Sequence, residues 1–341
     1  MAWGCGLILA EAGFYSLILQ PTLDGLVLGS AYALIALGYT MVYGVLKLIN
    51  FAHSEVFMLG AMFSVAAVTL LGLHVVPSPF GLVIAVLIAM VVCCIAGVLI
   101  ERVAYRPLRS SSRLTALITA IGLSLFIQST AQINFGEVHA GEHRVRIGGS
   151  DARAVPRFLS HTDGSGEFKP LILLGAAEAD RLVLSPTDAI ILPTTLAVLA
   201  VLWWFTQKTR AGRSIRAVSW NKDHAALMGV NVDRAIALTF LVGSAMAGIA
   251  AVLLAYRQAS VEPLMGSMYG LKSFVAAVLG GIGSLPGAAL GAVLLGVSES
   301  YVANFIDGGS RYRDTLVFGI LILVLLIRPA GLLGRAGREK V

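Results

Sequence analysis

Charge is scarce in this sequence. Only 13% of its 341 residues are Asp, Glu, Lys or Arg, about half of what a water-soluble domain carries, whereas 57% are hydrophobic. The mean hydropathy of +0.85 agrees. So little polar surface excludes a globule of this size in water. The apolar residues fall in runs of roughly 18–25, long enough at ~1.5 Å per residue to cross a hydrocarbon core of ~30 Å. Buried strands of a soluble α/β protein would instead run about 4–8 residues between turns.

Cysteine is almost missing. Cys5, Cys93 and Cys94 all lie in apolar surroundings and give neither a disulfide framework nor zinc spacing. Several motors and catalysts are missing too. No G-x-x-x-x-G-K followed by Ser or Thr is present, and the Gly-rich "GGIGSLPG" lacks the Lys of a phosphate cradle. "HSE" at 53–55 is too short to set two imidazoles on one helix face. No serine has strand–turn–helix surroundings, and no span carries a regular Arg series. No catalytic residue and no metal ligand is expected, which leaves a pathway or a scaffold. The first 20 residues are apolar without a basic start, so a cleaved signal peptide is not expected. Pro21 ends them, as in a short interfacial or re-entrant helix.

What is present reads as an all-α, polytopic transmembrane helical bundle forming a single permease-like domain over 1–341. Spans are expected at 23–46, 52–73, 80–100, 114–134, 187–206, 235–256 and 314–328, with a composite stretch at 270–303. This makes about 8–10 helical segments. Most basic residues flank these runs. Segments 101–113 and 207–234 and the tail from Arg328 hold 14 of the 25 Lys and Arg residues, which places all three in the cytoplasm. The 135–186 loop, with six basic and seven acidic residues, then lies outside. The C-terminus is cytoplasmic and the N-terminus, with no Lys or Arg before Lys47, is external.

Two elements break the pattern. "KLINFAHSE" at 47–55 puts Lys47, Asn50, His53 and Glu55 between apolar runs, and "LGGIGSLPG" at 279–287 puts Gly280, Gly281, Gly283 and Pro286 inside another. Such breaks are tolerated in a bilayer only where protein covers them or water reaches them, and transporters use them beside a substrate path. Each precedes a Gly/Ala-rich helix, which suggests an internal duplication. Tyr39 and Tyr43, four apart on the first long helix, join the candidate path; interface-belt and packing roles are open alternatives. Glu55 and His53 are either functional or caps of the second helix. Asp24, Gln128, Asn134 and Glu299 are expected at span ends or satisfying one another. Gly25, Gly29 and Ala33, then Gly243, Ala247 and Ala251, and again Gly287 and Gly291 recur every four residues, a spacing that lets helices approach closely.

The segment 207–234 is the most informative. Asn221 can cap a short helix, with Asp223 near its positive end and Gly229 just past its C-terminus. Trp220, His224, Ala225, Ala226, Leu227 and Met228 make it small and partly apolar. Docking to a cytoplasmic partner and lying on anionic lipid fit this pattern equally. In the outer loop, Arg144, Arg146, Arg153 and Arg157 form a candidate dock for an external protein, the alternative being a disordered surface loop.

At this point the residues carry a resemblance. "LDGLVLGSAYALIALGYTMVYGVLKLINFAHSEVFMLGA", "IERVAYRPLRSSSRLTALITAIGLSLFIQ", "MGVNVDRAIALTFLVGSAMAGIAAVLL" and "GLKSFVAAVLGGIGSLPGAALGAVLLGVSES" resemble the LivH-type permease of high-affinity branched-chain amino-acid ABC transporters. The resemblance covers nearly the whole chain and is weakest in the first 20 residues and in 135–186. It implies half of a channel in the prokaryotic inner membrane, paired with a second, related permease. Two cytoplasmic ATPases would drive the channel, with ATP and Mg on those partners and no cofactor in this chain. An extracytoplasmic binding protein would deliver substrate. Leucine, isoleucine and valine are the implied cargo; urea and short amides are the alternative within the family. The resemblance also matches 217–230 to the region that couples such permeases to their ATPases, favouring docking over lipid. Two departures stand out. Ser54 replaces the usual Gly after "NFAH", and the coupling segment uses Asp223 with Gly229 closer than usual. The rival from another class is a stand-alone secondary transporter, whose ion site would have to involve Glu55 and His53. An intramembrane enzyme has no recognisable catalytic set.

Overall fold

The computed structural model describes residues 15–73, 79–109, 111–140, 143–146, 148–155, 171–174 and 182–334. Arg157 and the basic residues beyond 334 lie outside the described residues. Eleven α-helices are described: α1 (Gln20–Leu46), α2 (His53–Leu70), α3 (Pro79–Ile100), α4 (Arg113–Gln132), α5 (Pro186–Lys208), α6 (Arg210–Trp220), α7 (Lys222–Leu227), α8 (Val232–Gln258), α9 (Met265–Gly280), α10 (Leu285–Phe305) and α11 (Arg313–Ile327). The helix starts are those the sequence encodes. Ser112, Ser185, Asn231 and Ser284 each accept a backbone N–H at the head of α4, α5, α8 and α10, replacing a bond that the first turn cannot make internally.

Seven of the described helices, α1–α5, α8 and α10, are long and apolar enough to cross a membrane. The chain is a multi-pass membrane protein. α9 and α11 have 16 and 15 residues and run between the same two ends. The composite stretch expected at 270–303 is two helices, α9 and α10, folded into an antiparallel hairpin about the break at 281–284.

α1 is the central helix. Of its most apolar stretch 89% is buried, against 17% for α4 and 22% for α5, so α4 and α5 carry much of the outward apolar surface. α1 packs on α10, α8, α9 and α5. Gly25 and Gly29 make the α1–α10 contact possible, because a Cβ on Gly29 would come within 2.7 Å of the Val293 Cα. In a bilayer no hydrophobic effect drives helices together, so this closeness is itself the source of dispersion energy. Cys93 is a buried packing residue whose Sγ bonds the Val56 carbonyl at 3.2 Å.

The loop end of the bundle carries short antiparallel strand pairs that an all-α reading did not foresee. β1 (Glu137–Ala140) pairs with β2 (His143–Arg146), β3 (Arg153–Ala154) with β6 (Ser260–Val261), and β4 (Leu171–Leu174) with β5 (Leu182–Leu184). The β3–β6 pair ties the long loop to the α8–α9 connection. The head of α1 is at this end too, because Gln20 Oε1 accepts the Val183 N–H at 2.9 Å. The opposite end carries α6, α7, the α3–α4 turn and the head of α8. There Arg109 bridges Glu101 and Asp233, and Arg106 reaches Asp233 at 2.7 Å.

Candidate functional site

The first break sits inside the bundle. α1 stops at Lys47, whose φ of 58° bends the chain away, and α2 begins at His53. The His53 ring lies against Gly38, where any Cβ would strike the imidazole. Gly38 is eight residues before the end of α1, about 12 Å along its axis. α2 therefore starts deep among its neighbours, not at the interface. Tyr39 meets His53 edge to face with ring centroids 4.9 Å apart. Asn50 is buried and its Oδ1 accepts the Tyr105 hydroxyl at 2.9 Å.

Ala52 occupies the cap position without a side-chain bond, and Glu55 lies in the first turn of α2, where a carboxylate meets the positive end of the helix. Glu55, fully buried, faces α4 and α9. Its Oε1 accepts the Ser124 hydroxyl at 3.1 Å and the Ser54 hydroxyl at 3.3 Å. Its Oε2 has no hydrogen-bond partner among the described residues and points at Gly266. Gln128, one turn beyond Ser124, donates to Ser267 Oγ at 3.1 Å. Glu55, Ser124, Gln128 and Ser267 thus form a polar seam between α2, α4 and α9. Gln128 lies close to the end of α4, one of the two placements expected for it, but its partner is Ser267 and not Asp24, Asn134 or Glu299, and neither Ser124 nor Ser267 is singled out by the sequence. A serine four residues before a Gln on one helix face was the available signal.

The seam opens beside an apolar groove of about 260 Å³ between α2 and α4, lined by Leu59, Met62, Phe63, Ile127 and Thr130 among others. Gly148 lines this groove and also a second cavity, of about 330 Å³, at the loop end. Arg144, Arg146 and Arg153 converge on that second cavity with Glu137 and Asp151. Arg146 pairs with Asp151 at 2.9 Å, and Arg153 donates to the Gly148 carbonyl at 2.7 Å. Partial burial, with Arg146 nearby, lowers the Arg153 pKa from its ordinary value.

The glycines of the second break stand apart from this seam. Tyr39 and Tyr43 share a small void with Phe274, Ala277 and Ile282, so the two breaks adjoin there. Gly280, however, lies 14 residues along α9 from Gly266, about 21 Å. Gly280 packs on the Gly287 backbone, Gly281 has φ 108° against Gly334, Gly283 has φ 96° in open space, and Pro286 is in the first turn of α10. These four residues close a tight hairpin turn and reach no ionisable group of the first break. Another buried pair escaped the sequence. Glu299 takes Lys272 Nζ at 2.6 Å and the Tyr32 hydroxyl at 3.0 Å, with Asp314 also 2.9 Å from the Lys.

At the opposite end, Asn221 Oδ1 accepts the N–H groups of Asp223 and His224 at 2.9 and 3.0 Å. Past the helix, Gly229 has φ 80°, its N–H bonds the Ala226 carbonyl and that of Val230 bonds Ala225, both at 3.0 Å. This is a Schellman closure, which needs a residue tolerant of the left-handed region at Gly229. The two caps let a six-residue helix stand without a long core. Ala225 is buried beneath it, whereas Trp220, Leu227 and Met228 are 86%, 84% and 84% exposed. Burial, with Arg109 nearby, holds the Lys222 pKa below its ordinary value.

Comparison with known proteins fits this geometry. Residues 22–325 match the family model of the branched-chain amino acid transport system / permease component. The chain is 42% identical over 324 residues to the high-affinity branched-chain amino acid transport system permease protein BraD of Pseudomonas aeruginosa, covering 95% of this chain and 98% of that protein. It is 41% identical to LivH of Escherichia coli K12, covering 95% and 97%. A more distant likeness, 26% over 139 residues, links 39% of the chain to 42% of the D-allose transport system permease protein AlsC of Escherichia coli. With nearly the full length matched on both sides, the chain belongs to the branched-chain amino acid transport system permease family.

Proposed function

We propose that this chain is the channel-forming, non-catalytic permease subunit of an ATP-binding-cassette importer for leucine, isoleucine and valine. It forms half of a channel with a second, related permease. Two cytoplasmic ATPases, which bind ATP and Mg, drive it, and an extracytoplasmic binding protein loads it. The observation that carries this reading is the capped helix α7 with its flanks: Trp220, the last residue of α6, and Leu227 and Met228 at the end of α7 stand out in solvent beyond the spans. Three large apolar side chains within so short a segment favour a protein groove over water. The near full-length likeness to BraD and LivH supports the cargo.

Charge supports the orientation. Arg106, Arg109, Arg213, Arg216 and Lys222 gather at the end that carries α6 and α7, so this end faces the cytoplasm of a prokaryotic inner membrane. The head of α1 and the loop with Arg144, Arg146 and Arg153 then face outside, where the binding protein docks, and the C-terminus is cytoplasmic. ATP closure moves α7, and α6 and α8, which pack on it, carry the motion into the spans so that the path alternates in access.

The test is purification of the tagged chain from its native membrane. Two ATPases and a second permease in equal amounts are expected, and Leu227→Asp with Met228→Asp should release the ATPases only. Ion-driven leucine uptake by this chain alone would overturn the reading in favour of a secondary transporter.

A further inference from the structure

The polar seam between α2, α4 and α9 has a feature that packing does not account for. Glu55 is fully buried, and both hydroxyls within reach serve one oxygen, Oε1. Oε2 is buried with no donor among the described residues. A buried acceptor without a donor costs free energy that the fold does not recover. Among the described residues, no Lys or Arg pairs with Glu55. Glu299, elsewhere in the bundle, has Lys272 and Tyr32. Directly beside the seam runs the apolar groove between α2 and α4, and two of its lining residues, Leu59 and Ile127, are one helical turn beyond Glu55 and Ser124. The groove holds about 260 Å³, just below the ~300–1,000 Å³ typical of drug-sized ligands, as suits a small metabolite with one short side chain.

We propose that Glu55 receives the α-ammonium group of a zwitterionic amino acid in transit, while the Leu59–Met62–Ile127 groove takes its aliphatic side chain. An ammonium brings the missing donor to Oε2 and the missing charge to the carboxylate at once. Ser124 holds the other oxygen and so aims the carboxylate, while the Ser54 hydroxyl beside it has the Phe51 carbonyl as its shorter acceptor, at 2.7 Å. Gly266 packs directly against Oε2, where even a Cβ would come within 2.7 Å. In this conformation the site is shut between α2, α4 and α9, and outward or inward opening exposes it. Uncharged cargo such as urea makes no use of Glu55. The inference rests on the amino-acid reading of the function and names the residues that would enforce it.

The experiment uses the complete importer with its binding protein in proteoliposomes and reads L-leucine carried per ATP hydrolysed. If the unaltered complex carries no leucine, the functional reading fails before this site is in question. If it does, Glu55→Gln, which keeps the shape and the serine bonds, should lower leucine carried per ATP at least about tenfold, the loss expected for a hydrogen bond to a charged group. An assembled Glu55→Gln complex with an unchanged ratio overturns the proposal. If that variant does not assemble, Ile127→Phe decides. Narrowing the groove should reduce leucine uptake about tenfold more than valine uptake, as one methylene does in an apolar pocket. Equal losses for the two amino acids overturn it.

Discussion

The turns at 47–52 and 281–284 both reverse the chain between oppositely running helices, but they satisfy the backbone by different means. The second is closed by main chain, with one side chain, Ser284, capping α10. The last carbonyls of α9, Leu279 and Gly280, accept the N–H groups of Leu332 and Leu333, both at 2.9 Å. The strap after α11 thus covers the orphan groups of a helix end. Glycines serve here because backbone meets backbone. The first turn instead buries side chains. Asn50, His53 and Glu55 are all inside, one held by Tyr105, one edge to face with Tyr39, and one left with a free oxygen. A break made of backbone is a hinge or a seam of packing. A break that buries a carboxylate with a vacant acceptor has chemistry left to do.

Substitutions should separate the two. The largest effect belongs to the glycine turn. Gly280→Leu drives a side chain into the Gly287 backbone, which no rotamer change can relieve, so the folded, monodisperse subunit should be lost on gel filtration. Gly283→Ala, in open space with φ 96°, should cost only the ~1–2 kcal/mol of a left-handed residue and fold. Next comes the satisfied pair. Lys272→Met leaves Glu299 buried without its cation, and thermal unfolding should show a loss of about 3–5 kcal/mol, largely restored by adding Glu299→Met. Asn50→Ala strands the buried Tyr105 hydroxyl and should cost about 1–3 kcal/mol. The smallest change in stability is expected outside the bundle. Leu227→Ala with Met228→Ala removes exposed side chains, so stability should stay within about 0.5 kcal/mol while ATP-driven uptake collapses. Unfolding curves and uptake measured on the same preparation check this last pair of outcomes together.

Much of this was legible in the sequence. Length and apolarity mark the spans, and the Asn221 and Gly229 signals mark both ends of α7, because caps are local. The glycines and Pro286 of 279–287 mark the turn between α9 and α10 as well. Three things were not legible. Glu55 looks like a first-turn carboxylate, and only the depth at which α2 starts shows that it faces Ser124 and Gly266. The Lys272–Glu299 pair spans two helices of a hairpin, a long-range contact that no single-helix period reveals. In the loop after α4, the convergence of Arg144, Arg146 and Arg153 depends on strand pairing that short runs of mixed residues do not announce.

The most direct test is ATP-dependent uptake of L-leucine into vesicles carrying this chain with its second permease, both ATPases and the binding protein. The account predicts uptake that needs ATP and disappears when the ATPases are omitted. Leucine entry driven by an ion gradient through this chain without ATPases would contradict it.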